Sequence, residues 1–429
     1  MTHPHRVWAD IRFDHLRENV ALLQRRLKPT TRIMAVVKAD AYGHGAVEVA
    51  RELKRLGIDR FGVGDSGEAL ELREQGIDGS ILVLGAIVDG EQERVVAHDV
   101  AVCIHSESRI EQLAREARRQ GRRCKVHLKV DTGMGRLGVL PARALALARR
   151  IARSPWLELE GVATHFAGTQ AGRDRENEAQ LEAFLDVRAA IVKEGLGKPV
   201  WHAAASAALF SDLDAEFDLV RPGLALYGIA PPGAGAAARR LKPVLSLHTQ
   251  VIFLKDVPAG TPIGYGRTFR TSSKTRIATV PLGYNDGLPT RVSNRGHALI
   301  KGTRAPIVGR VSMDYTMLDV GGIRGVKVGE PVTLIGEDQG EELRLEELAT
   351  AAEIIPHEIL CSLGRRVARI YHTARRDAPG HTARRVAPGH TAHRDAPGHT
   401  ARVPAVAAAR AATPLVRRVA ARKAFAATA

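Results

Sequence analysis

Cysteine is scarce: Cys103, Cys124 and Cys361 are the three in 429 residues, an odd set with no CxxC pair. That count excludes a disulfide scaffold and a thiolate zinc centre, and it fits a reducing compartment. No apolar run approaches the ~18 residues that cross a bilayer, so no membrane association is expected. The opening stretch MTHPHRVWADIRFDHL lacks an apolar segment, which predicts no secretory signal and a cytoplasmic protein. Acidic residues are nearly missing from the end of the chain, where residues 372–429 hold ten Arg and one Lys against Asp377 and Asp395. Of the formal charge of +16, +9 lies in that tail and +7 in the first 371 residues. The basicity therefore says little about the main body. With no aromatic stacking platform or recognition motif in view, nucleic-acid binding is not expected of it.

The tail is a tandem nonapeptide. HTARRDAPG, HTARRVAPG and HTAHRDAPG follow one another from His372 to Gly398, and a fourth copy starts at His399. Pro-Gly every nine residues breaks any helix, and large apolar side chains are almost absent. Burial cannot then offset the entropy of ordering, which predicts a disordered extension. Its five histidines suit at most weak metal binding, and no metal centre is expected. The Ala/Arg-rich stretch after the repeats reads either as a short basic amphipathic helix or as a disordered terminus.

The body alternates regularly over its first ~235 residues. Short apolar runs at Ile33–Val37, Arg60–Gly64, Ile81–Gly85, Val100–Ile104, Val126–Val130, Glu160–His165, Val200–Ala204 and Asp218–Arg221 give eight candidate strands. Helical spacing separates most of them, as in Ala46–Leu56, Glu107–Gln120, Pro141–Arg153 and Asn177–Gly195. Eight strand-then-helix units predict an α/β fold, a parallel (β/α)8 barrel of the TIM type. After Gly228 the chain becomes rich in Pro, Gly and Ala, then reads as short β-runs from Val244 to Ile335, followed by helical patterns at Leu343–Ala352 and His357–Leu363. The expected division is a barrel over residues 1–235, a smaller mainly-β domain over 236–371, and the basic tail over 372–429.

Polar residues fall where such a barrel places its chemistry, at the C-terminal strand ends. Lys38 follows four apolar residues in IMAVVKADAYGHG, and desolvation there would favour a nucleophilic amine. Taken alone, VVKAD fits better a lysine snorkelling from a strand end. His165 ends the sixth strand, where an isolated histidine is more often a hydrogen-bonded core residue. Arg221 ends the eighth in RPGLALYG. It reads as a structural ion pair or as a fixed cation beside a phosphate-binding turn. The stretch Phe61–Gly67 contains GxGxxG, yet the next strand, ILVLGA, is followed by apolar residues and offers no ribose ligand. The glycines are expected to form a tight βα turn.

At this point the residues resemble a family. AVVKADAYGHG at 35–45 looks like the pyridoxal-phosphate attachment motif of alanine racemases. HLKVDTGMGRLG at 127–138, THFA at 164–167, RPGLALYG at 221–228, GYGRTF at 264–269, GYNDGLP at 283–289 and GRVSMDYTMLDV at 309–320 match that family in the same order. The resemblance covers residues ~5–370. It implies a pyridoxal 5'-phosphate enzyme that interconverts L- and D-alanine for peptidoglycan synthesis, acting as a homodimer with shared sites. It implies that Lys38 attaches the cofactor and is one acid/base group, with Tyr265 of the partner subunit the other. Arg221 would face the pyridine nitrogen, held by His165. Tyr42, Ser206 and the backbone N–H groups of Gly223 and Leu224 would hold the phosphate. Arg136, Met313 and Tyr284 would bind substrate, the last two from the partner. Lys129 corresponds to a lysine that can be carbamylated to fix Arg136.

Three positions depart from the family. Ser312 replaces a more usual cysteine, Ala205 stands where many members carry asparagine, and His357 stands where a tyrosine guards the entrance and touches the cofactor phosphate. The last change leaves the reaction type intact and opens the question of a broader substrate range, serine first. Two-base proton exchange at Cα remains the reading that the residues favour. A barrel-type decarboxylase would place a carboxylate near the ring nitrogen, where Arg221 stands instead. A cofactor carrier would lack the β domain that bears Tyr265.

Overall fold

The computed structural model describes residues 4–168, 175–373 and 384–385. Strand β1 (Val7–Arg12) and helix α1 (Phe13–Arg26) come first. The barrel's first strand is split at Met34 into β2 (Arg32–Ile33) and β3 (Ala35–Val36). β4 (Arg60–Val63), β5 (Ser80–Val83), β6 (Ala101–Ile104), β7 (Cys124–Lys129), β8 (Leu157–Ala163) and β9 (Val200–His202) then add in order to β3, every neighbour parallel. β10 (Leu219–Val220) meets β9 through an Ala205–Arg221 bridge and pairs with β2, which closes the ring. All eight strands expected from the apolar runs are present.

Helices cover six of the eight strand ends. The expected segments appear as Ala46–Arg55, Glu107–Arg119, Pro141–Arg153 and Arg175–Lys193, with further helices at Ser66–Glu74 and Gln92–Ala97. Pro141 opens its helix, where a missing N–H costs nothing. The last two strands depart from the strand-then-helix pattern. β9 is followed by a single 3-10 turn at Ala208–Phe210, and β10 by a tight turn at Gly223–Gly228. Helix α1 closes that gap from the other end of the sequence. Its buried Asn19 donates to the carbonyls of Leu226 and Lys242 at 3.0 and 2.8 Å.

The GxGxxG stretch is a tight βα turn. β4 ends at Val63, and the Asp65 carboxylate accepts from the Glu68 N–H to cap the helix at Ser66.

Beyond residue 244 the chain is mainly β, as expected. β11 (Leu245–Gln250) pairs with β1, and β1 also pairs with Ala368–His372. The first strand of the chain thus belongs to the eight-stranded sheet built by the last third, and one buried cluster runs through both regions. Two short helices follow, at Leu345–Ala352 and Pro356–Cys361. Of the tail, His372 hydrogen-bonds Asp10 at 2.8 Å, and Arg384–Arg385 pairs with Ile370–Tyr371. The rest of the nonapeptide repeats and the basic stretch after them lie outside the described residues.

One local feature contradicts ordinary propensity. In α2 (Lys38–Gly43), Ala39, Asp40, Ala41 and Tyr42 all have φ of 52–53° and ψ of 45–53°. Four successive L-residues in a left-handed turn cost roughly 1–2 kcal/mol each. Local bonds oppose that cost. The Ala39 N–H donates to Glu68 at 2.6 Å, the Ala46 N–H to the Asp40 side chain at 2.8 Å, and the Gly45 N–H to the Asp40 carbonyl at 2.9 Å. The buried His44 ring donates through Nδ1 to the carbonyls of Ala41 and Tyr42. Gly45, at φ 92°, ends the turn, and a Cβ there would overlap the Tyr371 hydroxyl. Gly45→Ala is expected to lower unfolding free energy by ~2 kcal/mol or more, from backbone strain plus overpacking. Gly57→Ala, also at positive φ but facing open space, should lose only about 1 kcal/mol. Urea midpoints compare the two, and equal losses would mean that Tyr371 yields freely.

Candidate active site

The left-handed turn places its residues at the mouth of the barrel. The first barrel strand ends at Val36, and Lys38 lies two residues on, with its side chain exposed in this chain. Within the single chain the expected desolvation of this lysine is not met: the strand ends one residue before the expected Val37, and the lysine stands in the open mouth. Glu68 fixes the backbone beneath it by accepting from both the Ala39 and Gly64 N–H groups, at 2.6 and 2.7 Å. Tyr42, four residues on, is buried against Tyr227 and His357, with ring centroids 5.2 and 5.9 Å away. Burial raises the Tyr42 pKa, so its hydroxyl stays protonated and able to donate.

Arg221 is the buried cation of the site, 4% exposed. It donates to His202 Nδ1 and to the carbonyls of Thr164 and Ala203, all at 2.8 Å, and approaches His165 Nδ1 at 3.3 Å. Burial lowers its pKa to about 10, which leaves it charged at neutral pH. His165 goes down to about 2, first through burial, then through the charges of Arg221, Lys129, Arg136 and Lys38. It is neutral, and those four cations share one mouth with it. Lys129 ends β7 and is lowered to about 8, again by burial first, with Arg221 and Arg136 adding repulsion. Arg136 lies exposed in the loop after β7.

A second group lies after β9 and β10. The buried Ser206 accepts through Oγ from the N–H groups of Gly223 and Ala225, at 3.0 and 3.2 Å. Gly223 and Leu224 open the turn that follows Arg221. His357, on the last helix, has a buried Nδ1 without a partner among the described residues. Its pKa is lowered by burial and by the charge of Lys38. A hydroxyl, a turn of N–H groups and an unpartnered ring nitrogen form a donor set suited to a phosphate, with a lysine amine in the same mouth for a carbonyl carbon. These residues fit pyridoxal phosphate.

Tyr265, Tyr284 and Met313 are not brought to Lys38 within this chain. They line a different concavity together with Arg291 and Arg310, and are 74%, 45% and 52% exposed. Sequence reasoning also missed residues that the site uses. His202 holds Arg221, yet WHAAAS gives it no more weight than any strand histidine. Glu68 looks like a routine surface residue of an amphipathic helix.

Comparison with known proteins identifies the family. Residues 11–231 match the model of the alanine racemase N-terminal domain, and residues 244–371 that of the alanine racemase C-terminal domain. An alanine racemase of Symbiobacterium thermophilum is 42% identical over 364 residues, covering 85% of this chain and 96% of that protein. One from Geobacter sulfurreducens is 41% identical over 369 residues, with 85% and 96% covered. Among solved structures, the alanine racemase of D-cycloserine-producing Streptomyces lavendulae superposes with a TM-score of 0.81 at 36% identity, covering 87% of this chain and 98% of its own. The alanine racemase of Bartonella henselae, solved with covalently bound pyridoxal phosphate, gives 0.77 at 34%, covering 86% and 100%. With both domain models matched in order across the barrel and the β region, the chain belongs to the alanine racemase family.

Proposed function

We propose that this protein interconverts L- and D-alanine with pyridoxal 5'-phosphate, in the cytoplasm, and supplies D-alanine for peptidoglycan. One observation carries the reading: an exposed lysine, a buried donor-only arginine and a serine-braced turn of N–H groups meet at one barrel mouth. When bound, the cofactor delocalises the electron pair left at the substrate Cα. Lys38 attaches it and exchanges the Cα proton on one face. Tyr265 of the partner subunit does so on the other, and two bases on opposite faces are what inversion requires. Arg221 offers the ring nitrogen an N–H that stays protonated and accepts nothing, which disfavours transamination. Tyr42, Ser206, Gly223 and Leu224 hold the phosphate, with His357 at its edge. Arg136 holds the substrate carboxylate with the partner's Met313 and Tyr284.

The exposure of Tyr265, Tyr284 and Met313 supports a homodimer in which this surface closes the second subunit's mouth. Lys129 has the lowered pKa that carbamylation needs. Carbon dioxide adds to the neutral amine with loss of one proton, and the resulting anion would pair with Arg136. The residues 1–235, 236–371 and 372–429 are read as barrel, partner-reaching β region and tail. The imidazole of His357, smaller than a tyrosine ring, favours a second reading in which serine is also accepted.

Borohydride reduction of the holoenzyme followed by peptide mapping is expected to find the pyridoxyl group on Lys38. A label on any other lysine rejects the assignment. Mixing inactive Lys38→Ala and Tyr265→Phe subunits is expected to restore up to about one quarter of wild-type activity per total site. Random mixing makes half the dimers hybrid, and one of a hybrid's two sites keeps both bases. Hybrid dimers verified by mass and showing no recovery would contradict the shared site.

A further inference from the structure

Arg221 does not end at His202. The other ring nitrogen, His202 Nε2, lies 2.8 Å from His127 Nδ1, and His127 Nε2 lies 3.1 Å from the Glu160 carboxylate. Both histidines are 0% exposed. The first link sets the direction of the rest. A guanidinium only donates, so His202 Nδ1 must accept, which leaves the proton of a neutral ring on Nε2. His127 Nδ1 must then accept, so its proton sits on Nε2 and is donated to Glu160. Protonating either histidine would set two donors face to face.

Two local devices make this row possible. His127 on β7 stands opposite Gly161 of β8, and His202 on β9 stands opposite Ala163, two residues further along, so their backbones are separated by more than two strand spacings of ~4.8 Å. The His127 ring reaches along β8 toward His202 over Gly161, where a Cβ would overlap His127 Nδ1. The β7–β8 register also slips between Val126 and His127. Val126 faces Leu159 and His127 faces Gly161, which leaves Glu160 as the extra residue of a bulge. Arg60, 3.8 Å away, and Lys125 face the carboxylate from β4 and β7. Burial alone would raise the Glu160 pKa. The hydrogen bond to His127 and the positive charge facing the carboxylate outweigh it, and the net shift is downward. At the other end, Cys103 and Lys129 are the titratable groups that face Arg221 along with His165.

We infer that Glu160 is a positioning residue for the reaction: through His127 and His202 it orients Arg221 by a hydrogen-bond chain that runs one way, from guanidinium to carboxylate. The inference rests on the reading that Arg221 faces the cofactor ring. Without Glu160, His127 loses the acceptor that fixes its tautomer, His202 is free to reverse, and Arg221 loses its best-aligned side-chain acceptor.

The test combines ring-15N NMR of histidine-labelled holoenzyme with kinetics of Glu160→Leu, Glu160→Gln and Gly161→Ala. In the wild type, His127 and His202 should both be neutral with the proton on Nε2, assigned by single replacement of each. Glu160→Leu should lose that pattern and lower kcat about 10- to 100-fold with KM little changed, the size usual for an outer orienting partner. Glu160→Gln keeps an acceptor and should lose far less. Gly161→Ala, which pushes His127 off the chain without touching the carboxylate, should resemble Glu160→Leu. It also keeps the test open if the leucine variant does not fold. An Nδ1–H or doubly protonated ring at either position in the wild type would overturn the inference. So would wild-type kcat in folded Glu160→Leu or Gly161→Ala. Failure of the cofactor reading would look different: the tautomers would hold, and Lys38 would take no pyridoxyl label.

Discussion

Burying the Arg221 guanidinium takes a full charge out of water, and leaving it unpaired there would cost several kcal/mol. Everything around it is arranged to accept. Two backbone carbonyls, from Thr164 and Ala203, and one imidazole nitrogen of His202 surround the group at 2.8 Å. Because the residue has no acceptor of its own, its neighbours have no freedom in protonation. His165 and His202 are held neutral by burial and by that charge. With Arg221 facing the ring nitrogen, as proposed, a permanent donor would suit chemistry at Cα in which that nitrogen is hydrogen-bonded and not protonated. It does not suit chemistry that needs a carboxylate there.

The second constraint is backbone strain directly after Lys38, at Ala39–Tyr42. A left-handed run of four residues turns the chain sharply out of the first strand, so the lysine stands in the mouth while Tyr42 folds back into the core. Strain of this kind persists only where the surroundings over-determine it. Here Glu68, Asp40, His44 and Arg369, which donates to the Gly43 carbonyl at 3.1 Å, supply the restraint.

Much of this architecture was legible in the sequence because the barrel strands are buried on both faces and read as apolar runs bounded by turns. Helices starting at Pro141 and Glu107 could be placed almost to the residue for the same local reasons. β1 was not legible, since its partners Leu245–Gln250 and Ala368–His372 lie more than two hundred residues away and leave no local signature. The left-handed turn was hidden because Ala39-Asp40-Ala41-Tyr42 carries no glycine to announce positive φ. Glu160 and Gly161 were read as part of an ordinary strand, and a one-residue bulge changes where a side chain points without changing composition. The exposure of Lys38 ran against expectation for a related reason: four apolar neighbours say where the strand is, and the turn after it decides where the lysine goes.

Chemistry at Cα is the central claim, and exchange in deuterium oxide tests it most directly. The holoenzyme would be incubated with L-alanine in D2O and followed by chiral separation with mass spectrometry. Equal amounts of L- and D-alanine should form, both carrying one deuterium at Cα, with neither carbon dioxide nor pyruvate accumulating beyond a trace. Release of carbon dioxide, accumulation of pyruvate, or D-alanine formed with hydrogen still at Cα would contradict a site built from a donor-only cation and two bases.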